Sequence, residues 1–252
     1  MIECLYTEKH IMSVYVISDM HGCYREFITM LEKISFSDYD ELYIAGDICD
    51  RGSEPMRLLR YIMGMKNAHL IFGNHDKWLL KYIPDLIKGK KHPSHLFWLG
   101  SDFRTWLHYN GGSITADQFM DLDLPVCYDI EAYLEKNRRF YMEIEVHGKK
   151  YLIVHSGLGS YCRKGVHISE VPEYELIWPH IDLDDNPFDD VTMIVGHYPT
   201  FFYGKKYDGR IARGKNILHI DCGCVFGRTL GCVRLDDMEE FYVESSCPYV
   251  PV

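Results

Sequence analysis

Six short stretches of this chain hold side chains that bind metal ions or move protons. They are Ser18-Asp19-Met20-His21-Gly22, Gly46-Asp47, Gly73-Asn74-His75-Asp76, His155-Ser156-Gly157, Gly196-His197 and Asp221-Cys222-Gly223. Asp19, His21, Asp47, Asn74, His155 and His197 together offer carboxylate, imidazole and amide oxygen. That mixture suits manganese, iron or zinc, whereas calcium takes oxygen ligands throughout. No thiolate belongs to the set, which argues against a structural zinc knot. Six ligands exceed what one catalytic ion with an open position requires. Two ions about 3.5–4 Å apart can share one carboxylate and one water, acidifying that water toward a pKa of roughly 7. The chemistry such a centre performs is in-line hydrolysis of a phosphate ester, with no phosphoenzyme. Each motif alone is weak, since D-x-H-G, G-N-H-D and G-H all occur as ordinary turns. Their occurrence together, each where an apolar run ends, makes them a set.

Those apolar runs are the elements that must position the ligands. Val14–Ile17, Glu41–Ala45, His69–Phe72, Tyr151–Val154 and Met193–Val195 each stop at a ligand-bearing turn, and Ile217–Ile220 stops at Asp221. Short runs rich in β-branched residues and closed by glycine or a polar residue read as buried strands. Helical periods lie between the early ones: Tyr24–Ile34 places Phe27, Leu31 and Ile34 on one stripe, and Glu54–Met63 does the same with Leu58, Leu59 and Ile62. Pro55 falls early in its helix, where a missing N–H is harmless. Strand, helix, strand implies parallel pairing and an α/β fold, with ligands beyond the carboxyl ends of the strands. Gly231–Leu235 and Glu240–Glu244 read as a closing hairpin. Residues 77–150 break the rhythm and read as a mostly helical insertion, a cap punctuated by Pro84, Pro93, Pro125 and two glycine-lysine turns. Residues 157–190 read as a loop-rich, acidic crossover. No internal repeat marks the chain.

Composition narrows the function. With 252 residues, about half of them apolar, the chain can bury a sizeable core and is expected to be a single domain. A net charge of −10 disfavours a nucleic-acid polymer as partner, while a small anionic ester can still bind at a local positive centre. Nine cysteines, an odd number without small-domain spacing, read as free thiols in a reducing, cytoplasmic compartment. No apolar run is long enough to span a bilayer, so no membrane partner is expected. Residues 1–12 lack the apolar region of a signal peptide and read as a disordered leader.

The blocks Asp19-Met20-His21-Gly22, Gly46-Asp47-Ile48-Cys49-Asp50-Arg51-Gly52 and Gly73-Asn74-His75-Asp76 resemble the three signatures of the phosphoprotein-phosphatase (PPP) branch of the calcineurin-like metallophosphoesterases. His155-Ser156-Gly157 and Gly196-His197 resemble its later histidine blocks, and Asp221–Gly227 resembles a segment of bacterial and phage members. The resemblance runs from residue 14 to about 235. It implies two packed mixed β-sheets flanked by helices, two divalent metal ions with manganese foremost, and attack by a bridging hydroxide. Asp19 and His21 would bind the first ion, Asp47 would bridge, and Asn74, His155 and His197 would bind the second. His75 would protonate the leaving oxygen with Asp50 orienting it, and Arg51 with Asn74 would hold the phosphoryl group. A guanidinium fork suits that group, and an imidazole paired with a carboxylate keeps its tautomer.

Some positions depart from the family pattern. Ser18 replaces the usual glycine. Cys49 stands where valine is common, and reads as a buried inert thiol. Where relatives have a second clamping arginine after Trp178-Pro179, this chain has His180. Either His180 substitutes, or Arg163 or Arg228 reaches in. The other histidines read as surface or satisfied core, and the cap tryptophans as packing. Asn110-Gly111-Gly112 reads as a tight turn, and Asp182–Asp190 as a solvated loop. The leading reading is a phosphomonoesterase of the serine/threonine protein phosphatase type, acting on a phosphorylated protein or small phosphate ester. The alternatives are a dinucleoside-polyphosphate hydrolase and, from another class, a non-catalytic phosphate-binding module. Retention of every ligand position, His75 and Arg51 speaks against the last.

Overall fold

A computed structural model describes residues 12–248; the proposed leader, apart from its last residue Met12, lies outside them. Ten strands and seven α-helices follow in order: β1 (Val14–Ile17), α1 (Tyr24–Lys33), β2 (Glu41–Ile44), α2 (Pro55–Met63), β3 (Ala68–Leu70), α3 (Asn74–Lys91), α4 (Ser101–Tyr109), α5 (Gly112–Asp121), α6 (Leu124–Lys136), β4 (Tyr141–Val146), β5 (Lys149–Val154), α7 (Glu173–Ile177), β6 (Val191–Val195), β7 (Ala212–Gly214), β8 (Ile217–His219), β9 (Thr229–Arg234) and β10 (Glu240–Glu244). They form two five-stranded mixed sheets, ordered β10-β9-β1-β2-β3 and β4-β5-β6-β8-β7. β1, β2 and β3 run parallel, as do β5, β6 and β8, while β9 and β10 make the expected antiparallel hairpin.

The apolar runs have no polar alternation because both faces of the inner strands are covered. Val14 and Val16 pack in one cluster with Tyr151, Ile153, Ile194 and Leu218 of the second sheet, so the sheets stack face to face. Their neighbours Tyr15, Ile17, Leu152 and Val154 point the other way, into the larger core shared with the helices. The stacked sheets leave the carboxyl ends of both parallel sets along one rim.

The segment 77–150 differs from its sequence reading at both ends. Its helices start at Asn74 and stop at Lys136, and β4 with the start of β5 forms a hairpin at the edge of the second sheet. The period-two alternation of Met142, Ile144 and Val146 against Tyr141, Glu143 and Glu145, followed by the His147-Gly148 turn, carries that signal. Pro84 and Gly89 do not punctuate the segment: both lie inside α3. Pro84 has no N–H to give the Leu80 carbonyl, and Gly89 makes room for Leu96, whose Cγ would stand 2.8 Å from a Cβ there. Pro93 and Pro125, in contrast, open helical turns. Residues 157–190 hold only short helical turns, and β7 is a three-residue edge strand with no apolar run to announce it.

Candidate metal centre and active site

The rim where the two sheets meet gathers the residues singled out above. Asp19 and His21 follow β1, Asp47 follows β2, Asn74 and His75 open α3 after β3, His155 follows β5, and His197 follows β6. Asp47 is the centre. The Nε2 atoms of His21, His155 and His75 lie 3.6, 3.4 and 3.9 Å from its Oδ2. Two groups of ligand atoms share it, His21-Asp47-His75 and Asp47-His155-His197. Asn74 Oδ1 stands 3.1 Å from His155 Nε2. Asp19 joins through its Oδ2, which accepts the His197 main-chain N–H at 2.9 Å. Its Oδ1 is buried with no hydrogen-bond partner, as a carboxylate oxygen reserved for a cation would be.

The turns that present these groups are bent in an uncommon way. Among the described residues ten non-glycine positions have positive φ, and six belong to this rim: Asp19, His21, Asp47, Asp50, Arg51 and His197. Such backbone is costly and persists where surrounding contacts over-determine it. Asp76 supplies much of that restraint, accepting N–H groups from Asp47, Ile48 and Gly73 at 2.7, 3.0 and 2.9 Å. Gly196 cannot be larger, since a Cβ there would collide with Ser18 Oγ and Asp19 Oδ2.

Main-chain carbonyls hold two of the imidazoles in orientation. His21 Nδ1 donates to the Cys49 carbonyl and His155 Nδ1 to the Ala45 carbonyl, each at 2.8 Å, which aims both Nε2 atoms inward. Burial and neighbouring Arg51 hold His21 well below its ordinary pKa, and burial with His155 lowers His197 to about 3. Burial opposes a charge on His155, but Asp47 and Asp19 outweigh it and push that imidazole up to about 10. Burial likewise opposes a charge on Asp47, yet His155, His75 and His21 hold it well below the usual carboxylate range. Burial and the Asp221 carboxylate push Asp19 well above that range. Buried carboxylates so crowded require positive charge, and protons compete for it with any metal. The donor set therefore fits divalent cations.

His75 and Arg51 face this centre from the same side. His75 Nδ1 donates to Asp50 Oδ2 at 2.6 Å. Arg51 donates from one guanidinium nitrogen to His21 Nε2 at 2.7 Å and from another to His75 Nε2 at 3.0 Å, while its Cζ lies 5.6 Å from the Phe226 ring centroid. The candidates for a second clamp have other partners. His180 stacks on Tyr198 at 4.3 Å and is 3.8 Å from Asp182. Arg228 is buried against Phe201 and bonded to Asp208 and Phe226, and Arg163 is exposed over Tyr161.

Aromatic rings line one flank. Trp78 stands edge-on to His75 at 5.5 Å, Trp178 meets Trp78 at 4.9 Å and His197 at 6.3 Å, and the exposed Tyr174 stacks on Trp178. Two buried acids had no role in the sequence reading. Asp76 was legible as the third helical residue after Gly73, a capping position. Asp221 follows β8 within electrostatic reach of Asp19 and Asp47, and burial pushes it up to about 6; its position after an apolar run was its signal. Cys49 is buried and its thiol is raised well above the ordinary value by burial and by Asp76, in keeping with an inert role. A large surface cavity of about 1160 Å³ opens far from this chemistry, between the ends of α1 and α2, and has no ligating cluster. Among the described residues no helix is long and apolar enough to cross a membrane, and no disulfide forms.

A two-sheet sandwich with histidine, aspartate and asparagine converging at its strand-end rim defines the metallophosphoesterase class. The chain belongs to the calcineurin-like phosphoesterase family, whose model matches residues 12–223. The symmetrical bis(5'-nucleosyl)-tetraphosphatase of Nitrosospira multiformis is 24% identical across 92% of this chain and 96% of that protein. Its counterpart from Buchnera aphidicola subsp. Schizaphis graminum is 43% identical, but that match spans only 32% of this chain and 30% of the relative. A solved structure provisionally named a diadenosine tetraphosphatase superposes with a TM-score of 0.63 at 17% identity, covering 94% of this chain and 95% of its own. A serine/threonine phosphatase from Saccharomyces cerevisiae gives 0.52 at 14% identity, covering 95% and 81%. The two structural likenesses carry the fold alone.

Proposed function

We propose that this chain hydrolyses dinucleoside polyphosphates, splitting a bis(5'-nucleosyl) tetraphosphate at its central anhydride into two nucleoside diphosphates. The observation that carries this is the near end-to-end similarity to symmetrical bis(5'-nucleosyl)-tetraphosphatases, such as that of Nitrosospira multiformis. It moves the reading from the serine/threonine phosphatase favoured by the motifs to their alternative. The flank of Trp78, Trp178 and Tyr174 supports it, because flat rings beside a phosphate site suit a nucleobase.

Asp19, His21 and Asp47 would hold one divalent cation, and Asp47, Asn74, His155 and His197 the other. The pair supplies Lewis acidity and an acidified water. Arg51, already between His21 and His75, binds the non-bridging oxygens of the phosphoryl group under attack. His75 would take a proton at Nε2, freed when Arg51 turns to the phosphoryl oxygens, and pass it to the departing oxygen while Asp50 holds its Nδ1–H. One water enters, one P–O bond breaks, and the proton given to the leaving group is replaced from the attacking water.

The test is incubation with diadenosine tetraphosphate and manganese, with products separated by chromatography. ADP as the sole nucleotide is expected, and chelation by EDTA should stop its release. ATP with AMP in place of ADP, or faster release of phosphate from phosphoserine peptides, would refute this substrate assignment.

A further inference from the structure

The mechanism uses Asp50 and Arg51, and both are gripped by the helical insertion. Trp106 of α4 donates its indole N–H to Asp50 Oδ2 at 2.7 Å, the same oxygen that accepts from His75 Nδ1 at 2.6 Å. Asp50 Oδ1 is buried without a partner, so both restraints on this carboxylate fall on one atom. The main chain is gripped as well. Asp50 N–H donates to Thr115 Oγ1 of α5 at 2.9 Å, and Arg51 N–H donates to the Gly111 carbonyl, between α4 and α5, at 3.0 Å. These bonds land on two consecutive residues with left-handed backbone, φ +73° and +66°. Non-glycine residues hold such angles at a cost of roughly 1–3 kcal/mol each unless contacts enforce them.

The corner is shaped for this contact. Gly111 has φ +79°, and a Cβ there would come within 2.7 Å of Arg51 Cγ. A Cβ on Gly112 would collide with the Trp106 indole nitrogen. Trp106 is fully buried and stacks on Tyr82 at 5.3 Å with planes 18° apart, which leaves its N–H one direction. A buried indole needs some acceptor, and a main-chain carbonyl would satisfy that need. An acceptor oxygen shared with His75, plus two further bonds from the same corner to residues 50 and 51, exceeds it.

We propose that the α4–α5 corner, with Trp106 at its centre, positions the acid–base pair: it fixes the Asp50 carboxylate, and through it the His75 ring, and sets the direction of Arg51. Trp106 is thus a positioning residue, since it touches Asp50 and no reacting atom. This rests on the assignment of His75 as the proton donor.

The test replaces Trp106 by benzothienylalanine, which keeps the ring shape and puts sulfur where the N–H stands; Trp106→Phe is the genetically encoded version. Each is assayed on phenyl phosphate, whose leaving group needs a proton, and on p-nitrophenyl phosphate, which needs little. Loss of a hydrogen-bonded partner behind a catalytic group costs on the order of 10–100-fold. The expected result is that loss on phenyl phosphate, with at most about a threefold loss on p-nitrophenyl phosphate. The downfield proton resonance of His75 Nδ1–H should shift or broaden in the isostere. Phe103→Leu, which disturbs the same ring cluster without touching Asp50, should leave both the ratio and the resonance unchanged. An unchanged ratio and an unchanged resonance in the benzothienyl protein overturn the proposal. His75→Asn separates the layers: if it fails to discriminate between the esters, the acid assignment falls and this proposal with it. If it discriminates and the Trp106 variants do not, only the corner's role falls.

Discussion

The strand-end loops and the helical insertion meet at Asp50, and they serve the site differently. The loops place the candidate ligands: Asp19, Asp47, His155 and His197 each leave a buried parallel strand within a few residues of its end. Past Asn74 and His75, which open its first helix, the insertion contributes no candidate ligand. It delivers an indole, a hydroxyl and a carbonyl to the residues beside the ligands. A rigid sheet rim sets where charge is held, and a helical corner sets how the neighbouring side chains are aimed.

Substitutions in the two regions should therefore differ in kind. The largest effect is expected at the rim. Asp47→Asn should lower turnover at least about 10³-fold and reduce the content of both metals, because one carboxylate serves both groups of ligands. Elemental analysis of the purified variant, beside its rate, checks this; a variant that keeps both metals would contradict the shared position. Next comes acid stability. Burial and nearby His180 lower His219 to about 3 from its ordinary 6.5. The unfolded chain then binds a proton that the folded chain refuses, so this contribution is complete above pH about 6.5 and is lost as pH falls toward 3. It amounts to roughly a few kcal/mol. Urea titrations from pH 7 to 4 should show His219→Gln with a flatter decline than the parent; parallel slopes would remove His219 as the cause.

In the insertion, Gly111→Ala should destabilise by about 1–3 kcal/mol and weaken turnover, as a Cβ at φ +79° pushes Arg51 aside. A melting temperature equal to the parent's would mean that the corner yields without cost. Smallest is Lys77→Ala, which removes an exposed pair with Glu173 between α3 and α7. It should cost less than about 1 kcal/mol and leave kcat alone. A large kinetic effect there would mean that the insertion's outer surface also tunes the site.

The same contrast explains what the sequence disclosed. The candidate ligands were legible as a group because each follows a short apolar run that folds as a buried strand, and the strand ends share one rim. Asp50 and Arg51 were legible through their block. Trp106 was not: one tryptophan in an amphipathic helix has the pattern of a core residue, and only the three-dimensional approach of α4 to the Asp50 turn gives its N–H a purpose. β7 and the reach of α3 across Pro84 were hidden for related reasons, since tertiary packing overrode local preference. The fate of His180 could not be read from spacing, because Tyr198, eighteen positions on, takes up its ring face.

The Nδ1–H of His155, rooted in the second sheet, ends on the carbonyl of Ala45 in the first. The ring that faces the centre is thereby also a rivet between the layers. Exchange of the ring for glutamine would keep a donor group but loosen the seam, so chemistry and cohesion at this point are inherited as one unit.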